Sequence, residues 1–402
     1  GACGVGISPG SRADSGALRE MGKVGKMGEM GKMGKMGEMG KMGKMGKMGK
    51  MGKKFSAVLG KAINLGCEAL LKVVIKSLAI ALFLLIVLTL PLPAEAKVTR
   101  FVQGNSADVN PPLAGPAHDF GGGGTDVDPA IQWMINQVRG CNDCSTKVDV
   151  VVIRSSGDDG YNAPILAMNG VDSVETLIIK SREDANQVDV VDTVKKAEVL
   201  FFAGGDQCEY TRDFKRTGIE TAVESVYARG GGIGGTSAGT MIQSDFVYSA
   251  CSDTVETKEA LSDPYEDISF TYDFFKWANM KGTLADTHFD KRDRMGRTMT
   301  FIARQIRDGI ADSVLGIAVG EQTSVVVDKN GLARVMGKSP AYFVLGDHMP
   351  EVCEPQTPLT FSNYKIWKVE SGRTFDLKTR PTKGYYLRSI NKGRIDSDPY
   401  EQ

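Results

Sequence analysis

Histidine is scarce in this chain: its 402 residues include three, His118, His288 and His348. That leaves three candidates for an imidazole base and excludes a histidine-rich metal centre. Cysteine is sparse too, with seven in all. Cys141-x-x-Cys144 has neither a second pair nor a nearby histidine to complete a zinc site, so no metal is expected. Branched and aromatic residues are almost absent from residues 21–53, where Met-Gly-Lys or Met-Gly-Glu repeats with a period of three. Such a run cannot bury a core, and without proline it is not collagen. Residues 1–54 are therefore expected to stand outside the mature protein, with translation starting at Met51 or an earlier repeat unit.

Charge is missing from Ser77 to Leu90. Lys72 and Lys76 precede this apolar run, and Pro91-Leu92-Pro93 and Ala94-Glu95-Ala96 follow it. A basic flank, a short apolar run and an Ala-x-Ala site predict a signal peptide over residues 55–96. The run falls short of the roughly 20 residues that span a bilayer, so no lasting membrane span is expected after cleavage. An uncleaved anchor is the rival reading. Export to the periplasm or the medium would place Cys141, Cys144, Cys208, Cys251 and Cys353 in an oxidising compartment. One or two disulfides and a leftover thiol are expected there, with the pairing open.

Residues 1–96 hold 15 of the 49 basic and 6 of the 49 acidic residues, which leaves residues 97–402 with a net charge of −9. An acidic body argues against a nucleic-acid partner. Its 306 residues are ample for a large core.

Residues 97–117 read as an irregular lead-in. Strands are predicted at 148–153, 174–180, 199–203, 315–319 and 324–327, from β-branched apolar runs. Helices are predicted at 129–138, 190–196, 218–229, 238–243 and 298–308. This alternation predicts βαβ units, a mostly parallel sheet and ligands beyond the carboxyl ends of the strands. A catalytic α/β domain is expected over residues 97–340, with 341–402 as a β-rich extension packed on it.

Gly235-Thr236-Ser237-Ala238-Gly239 is a G-x-S-x-G motif between a strand-like and a helix-like run. A tight turn there would lift Ser237 Oγ clear of the sheet, and the N–H of Ala238 would face a developing oxyanion. No Lys-Ser/Thr pair follows, so a Walker loop is excluded. His288, in the charged stretch from Asp286 to Arg297, is the favoured base. Glu321 and Glu256 both stand open as the acid that orients it. Arg292, Arg294 and Arg297 have two readings, a solvated face paired with Asp290 and Asp293 or a clamp for carboxylates.

Four stretches, FFAGGDQ (201–207), GGTSAGT (234–240), DTHFDKRDRMGR (286–297) and GIAVGEQT (316–323), resemble the cyanophycinase branch of the serine peptidases that also include the aspartyl dipeptidases. GGGTDVD (122–128) is similar to the start of exported cyanophycinase-like proteins. The resemblance implies a flavodoxin-like fold related to the class I glutamine amidotransferases, with helices on both faces of the sheet. It implies Ser237 as nucleophile, His288 as base and Glu321 as acid, with Glu256 as the alternative. It places Gln207, Asp286, Thr287, Arg292, Arg294 and Arg297 at substrate-pocket positions, and Gly205 joins Ala238 as an oxyanion donor. The implied substrate is cyanophycin, a poly-aspartate carrying arginine on each β-carboxyl, cut to β-Asp-Arg dipeptides without a cofactor. Asp286 would receive the arginyl group. Thr287 departs from the glutamine usual in the family, which leaves short β-aspartyl peptides as an alternative substrate. An α/β-hydrolase esterase, with chain order Ser, acid, His, and a non-catalytic binder of acidic peptides are the other readings. A homodimer is carried as an expected assembly.

Overall fold

A computed structural model describes residues 50–89, 98–105 and 107–401. The repeat up to residue 49 and the Ala94-Glu95-Ala96 site lie outside them. The chain divides into two units, Gly1–Pro93 and Ala94–Gln402. In the first, Lys50–Thr89 is one continuous helix that takes in most of the apolar run. No helix among the described residues is long and apolar enough to cross a membrane.

The second unit is α/β. Five strands pair in parallel in the order Val171–Ile178, Val148–Arg154, Val199–Phe202, Gly232–Thr236 and Ala117–Gly121. Antiparallel strands extend both edges: Thr99–Gly104 on one side, and Thr323–Val327, Leu332–Gly337 and Thr374–Asp376 on the other. Side chains alternate along the parallel strands. Val151, Ile153, Leu200 and Phe202 pack against the helices Val188–Lys196 and Gly218–Ala228. Val150, Val152, Val199 and Phe201 pack against Ile131, Met134, Ile135 and Val138 of the helix Asp128–Arg139. Both faces are therefore covered, which is why these strands read as continuous apolar runs.

A second sheet, absent from the sequence reading, supplies half of the site. Thr283–Asp286 pairs in parallel with Val314–Val319, which continues antiparallel into Ala341–Gly346, Thr357–Val369, Tyr386–Asn391 and Arg394–Ile395. Leu284, Val314, Ala318 and Val344 of this sheet pack with Met299, Ile302 and Ala303 of the helix Met295–Arg307. Leu315, Ile317, Val319 and Phe343 share a cluster with Val325, Val327 and Val335 of the first sheet. Most strands beyond residue 340 thus continue a sheet that begins at residue 283, while Thr374–Asp376 joins the first sheet.

Two elements were misread. The stretch 97–117 contains the strand Thr99–Gly104, and Ala117–Gly121 is a central strand rather than lead-in. His118 is buried there, and burial pulls its pKa down to about 4. Of the body cysteines, Cys141 pairs with Cys144 and Cys208 with Cys251, while Cys353 is a buried free thiol.

Candidate active site

The site gathers where strands end. Ser237 follows Thr236 directly, His288 lies two residues past Asp286, and Glu321 two past Val319. Ser237 sits at φ +52° and ψ −119°, a left-handed strain of about 1–3 kcal/mol for a residue with a Cβ. The flanking glycines permit this turn. A Cβ on Gly235 would stand 2.6 Å from Gly239 O, and one on Gly239 would stand 2.1 Å from Phe202 O.

Ser237 Oγ is 2.9 Å from His288 Nε2, and His288 Nδ1 is 2.7 Å from Glu321 Oε1. Lys291 donates to the other oxygen, Glu321 Oε2, at 2.7 Å. Glu256 does not make this contact. It caps the helix Thr257–Ser262 through a reciprocal bond pair with Glu259. Burial lowers the pKa of His288, and the bond it donates to Glu321 opposes that shift without cancelling it. Hydrogen bonds from Lys291 and His288 hold Glu321 below its usual range, so it stays ionised.

The glycine run Gly121–Gly124 entered the sequence reading only through the resemblance of 122–128. It cradles the three residues. Gly121 O accepts from Ser237 N, Gly122 O from His288 N, and Gly123 O from Gln322 N, next to Glu321. Side chains would not fit. A Cβ on Gly122 would lie 1.8 Å from Gly320 O, and on Gly123, at φ +98°, it would lie 2.4 Å from His288 Cε1. The run of four glycines was itself the available signal, because close backbone approach on this scale needs glycine.

Beside Ser237 opens a cavity of about 490 Å³. Of the expected substrate residues, Gln207, Thr287, Arg292, Arg294 and Arg297 line it, as does Gly205, the expected oxyanion donor. The N–H of Ala238 opens a helix and has no partner within it. Arg292 is exposed to the cavity. Arg294 and Thr287 are buried in the cavity wall. Arg294 donates to Thr287 O at 2.8 Å, yet its Nε and the Thr287 hydroxyl have no hydrogen-bond partner among the described residues. Burial brings Arg294 down to about 10, so it remains charged at neutral pH.

Asp286 is a correction. Expected to face substrate, it is fully buried beneath the cavity. Arg297 grips it in two-pronged fashion, Nη2 to Oδ1 at 2.6 Å and Nε to Oδ2 at 2.9 Å, and Thr298 adds a bond at 2.7 Å. Burial pushes the Asp286 carboxyl up, but the guanidiniums of Arg297 and Arg294 outweigh it and its pKa falls. Arg297 is spent as well: its third donor goes to Val255 O at 3.1 Å, and it lies over the rings of Tyr248 and Phe301. The pair is a structural floor, because its charges are consumed by each other. Carboxylates that do line the cavity are Asp206 and Asp253.

Residues 163–333 match peptidase family S51. Among curated proteins, a cyanophycinase of Nostoc sp. is 25% identical over 217 residues, covering 52% of this chain and 67% of that protein. A cyanophycinase of Geminocystis herdmanii is 23% identical over 220 residues, covering 54% and 75%. Among solved structures, a peptidase from an acI-B1 Actinobacterium is 15% identical, covers 66% of this chain and 98% of its own, and superposes with a TM-score of 0.44. The chain is similar to the cyanophycinases, and its match to peptidase family S51 spans residues 163–333; both findings support a serine-type peptidase.

Proposed function

We propose that this protein is an exported exopeptidase that hydrolyses cyanophycin to β-Asp-Arg dipeptides through Ser237, His288 and Glu321. The observation that carries the reading is the unbroken contact chain from Ser237 Oγ through the imidazole to Glu321. His288 takes the hydroxyl proton as Ser237 attacks an aspartyl carbonyl. Glu321 keeps Nδ1 protonated and stabilises the imidazolium. The N–H groups of Ala238 and Gly205 receive the developing oxyanion. The proton then passes from His288 to the leaving amine, and water attacks the acyl-enzyme by the reverse path.

Arg292 and Arg294 suit the free carboxylate of an aspartyl residue, as charge-assisted donors do. Asp206 and Asp253 take the place first given to Asp286 in facing the arginyl guanidinium. The order Ser237, His288, Glu321 along the chain speaks against an α/β-hydrolase esterase, whose acid precedes its histidine. Support for export comes from the basic flank, apolar run and Ala-x-Ala sequence, together with two cysteine pairs.

Incubation of the purified protein with insoluble cyanophycin, alongside Ser237→Ala, tests the substrate. Release of β-Asp-Arg by the wild type and none by the variant is expected, read by mass spectrometry. A folded wild type that leaves the polymer intact but cleaves short β-aspartyl peptides would replace the polymer by those peptides.

A further inference from the structure

The segment carrying His288, Arg292 and Arg294 makes a tight excursion. Its backbone is left-handed at both His288 (φ +49°) and Asp293 (φ +46°). The helix that follows, Met295–Arg307, begins at Arg294 without a side-chain cap of its own. Its first N–H groups need partners from elsewhere. Thr257 Oγ1 accepts one, from Arg297 N at 3.4 Å, and donates to Asp293 O.

Another partner comes from the far end of the chain. Tyr400 Oη accepts from Met295 N at 3.2 Å and donates to Asp293 Oδ1 at 3.0 Å. Its ring stands edge-on to Phe289, 5.8 Å away, and to Tyr342, 5.6 Å away. The stretch bearing Tyr400 is strapped to the second sheet. Tyr342 donates to Tyr400 O at 3.3 Å, Tyr386 to Pro399 O at 2.7 Å, and Arg388 Nε to Asp398 O at 2.8 Å. Tyr400 therefore bridges the residues on either side of Arg294 while touching nothing in the cavity. It lies outside the segment that matches the peptidase family.

We propose that Tyr400 is a positioning residue for the cavity: bridging Asp293 and Met295, its hydroxyl fixes the turn that aims Arg292 and Arg294 at the substrate. The C-terminal strap thereby acts on the site through the 286–297 segment. The geometry of the turn does not depend on which acidic substrate is cleaved, but the effect on KM rests on the function proposed above.

Tyr400→Phe tests this, because it keeps the ring and removes both hydrogen bonds. The first readout is the pH dependence of Ser237 labelling by an uncharged fluorophosphonate, which needs neutral His288. The charges acting on His288 are Glu321 across the site and Arg292 and Arg294 on its own segment, while Lys291 reaches it through Glu321. The glycine loop and the Ser237 turn bring none. Swinging the guanidiniums away removes their push against protonation, so the labelling midpoint is expected to move to higher pH. The second readout is KM on cyanophycin, expected to rise about three- to tenfold, one hydrogen bond's worth, with kcat nearly unchanged. Asp293→Ala should reproduce both effects, and the double variant should add little to either single one. A lowered melting temperature with an unmoved midpoint would reduce Tyr400 to a stabilising contact and overturn the inference. Additive effects of the two substitutions would overturn its route through Asp293. A wild type that labels but leaves cyanophycin intact would sink the proposed substrate, and the labelling midpoint would still decide the role of Tyr400.

Discussion

The floor and the wall of the cavity are made from one segment, yet they do opposite things. On the floor, Arg297 and Asp286 consume each other's charge, with Thr298 and Val255 O taking what is left. On the wall, Arg292 lies exposed to the cavity, and Arg294 keeps an Nε that has no hydrogen-bond partner among the described residues. Arg292 and Arg297 lie five positions apart, and in sequence they are the same residue type in the same charged stretch. What separates them is burial beside a carboxylate. A guanidinium locked on a buried acid is architecture, while one facing the cavity is available for recognition.

The sharpest way to break this comparison is Asp286→Asn. It leaves the buried charges of Arg297 and Arg294 uncompensated and should cost about 3–5 kcal/mol of stability, measured by denaturant unfolding. If stability held and KM alone rose, the floor would be a binding subsite after all. Gly123→Ala comes next, since its methyl group would meet the His288 ring. A displaced imidazole should lower kcat by about 100-fold, whereas Gly372→Ala, equally left-handed but with open space around it, should leave kcat alone. Arg292→Ala attacks the wall. Here stability should stay within about 0.5 kcal/mol while KM for an acidic substrate rises about tenfold or more, which steady-state kinetics would show.

The smallest effect is in pH. Burial holds His288 below its usual pKa, so activity should rise with pH through a midpoint under 6.5. Glu321 raises that pKa, so Glu321→Gln should shift the midpoint lower still, while Arg294→Ala should shift it upward. Shifts in the reverse sense would mean that these charges do not act on the imidazole.

Legibility in the sequence followed burial. Continuous apolar strands such as Val148–Arg154 and Val314–Val319 announced themselves, because both of their faces are covered. The strand Ala117–Gly121 did not, since Ala-His-Asp-Phe-Gly carries polar residues that are buried nonetheless. Thr283–Asp286 was also missed, being four residues long and ending in the buried acid. Ser237 could be named because residue type and position after a strand constrain it, and His288 because histidine is scarce, whereas Glu321 stayed open beside Glu256 until the resemblance favoured it. The partner of Asp286 could not be named, because pairing between Asp286 and Arg297 is a fact of tertiary packing. Nor could Tyr400, whose contact with Asp293 spans 107 positions.

The central claim is that Ser237 carries the acyl group. Rapid acid quench of the enzyme with its aspartyl substrate, followed by peptide mapping, tests it directly. The account predicts a transient mass increase confined to the peptide containing Ser237, and its loss in His288→Ala. Product formation with no adduct on Ser237, or an adduct on a different residue, would contradict it.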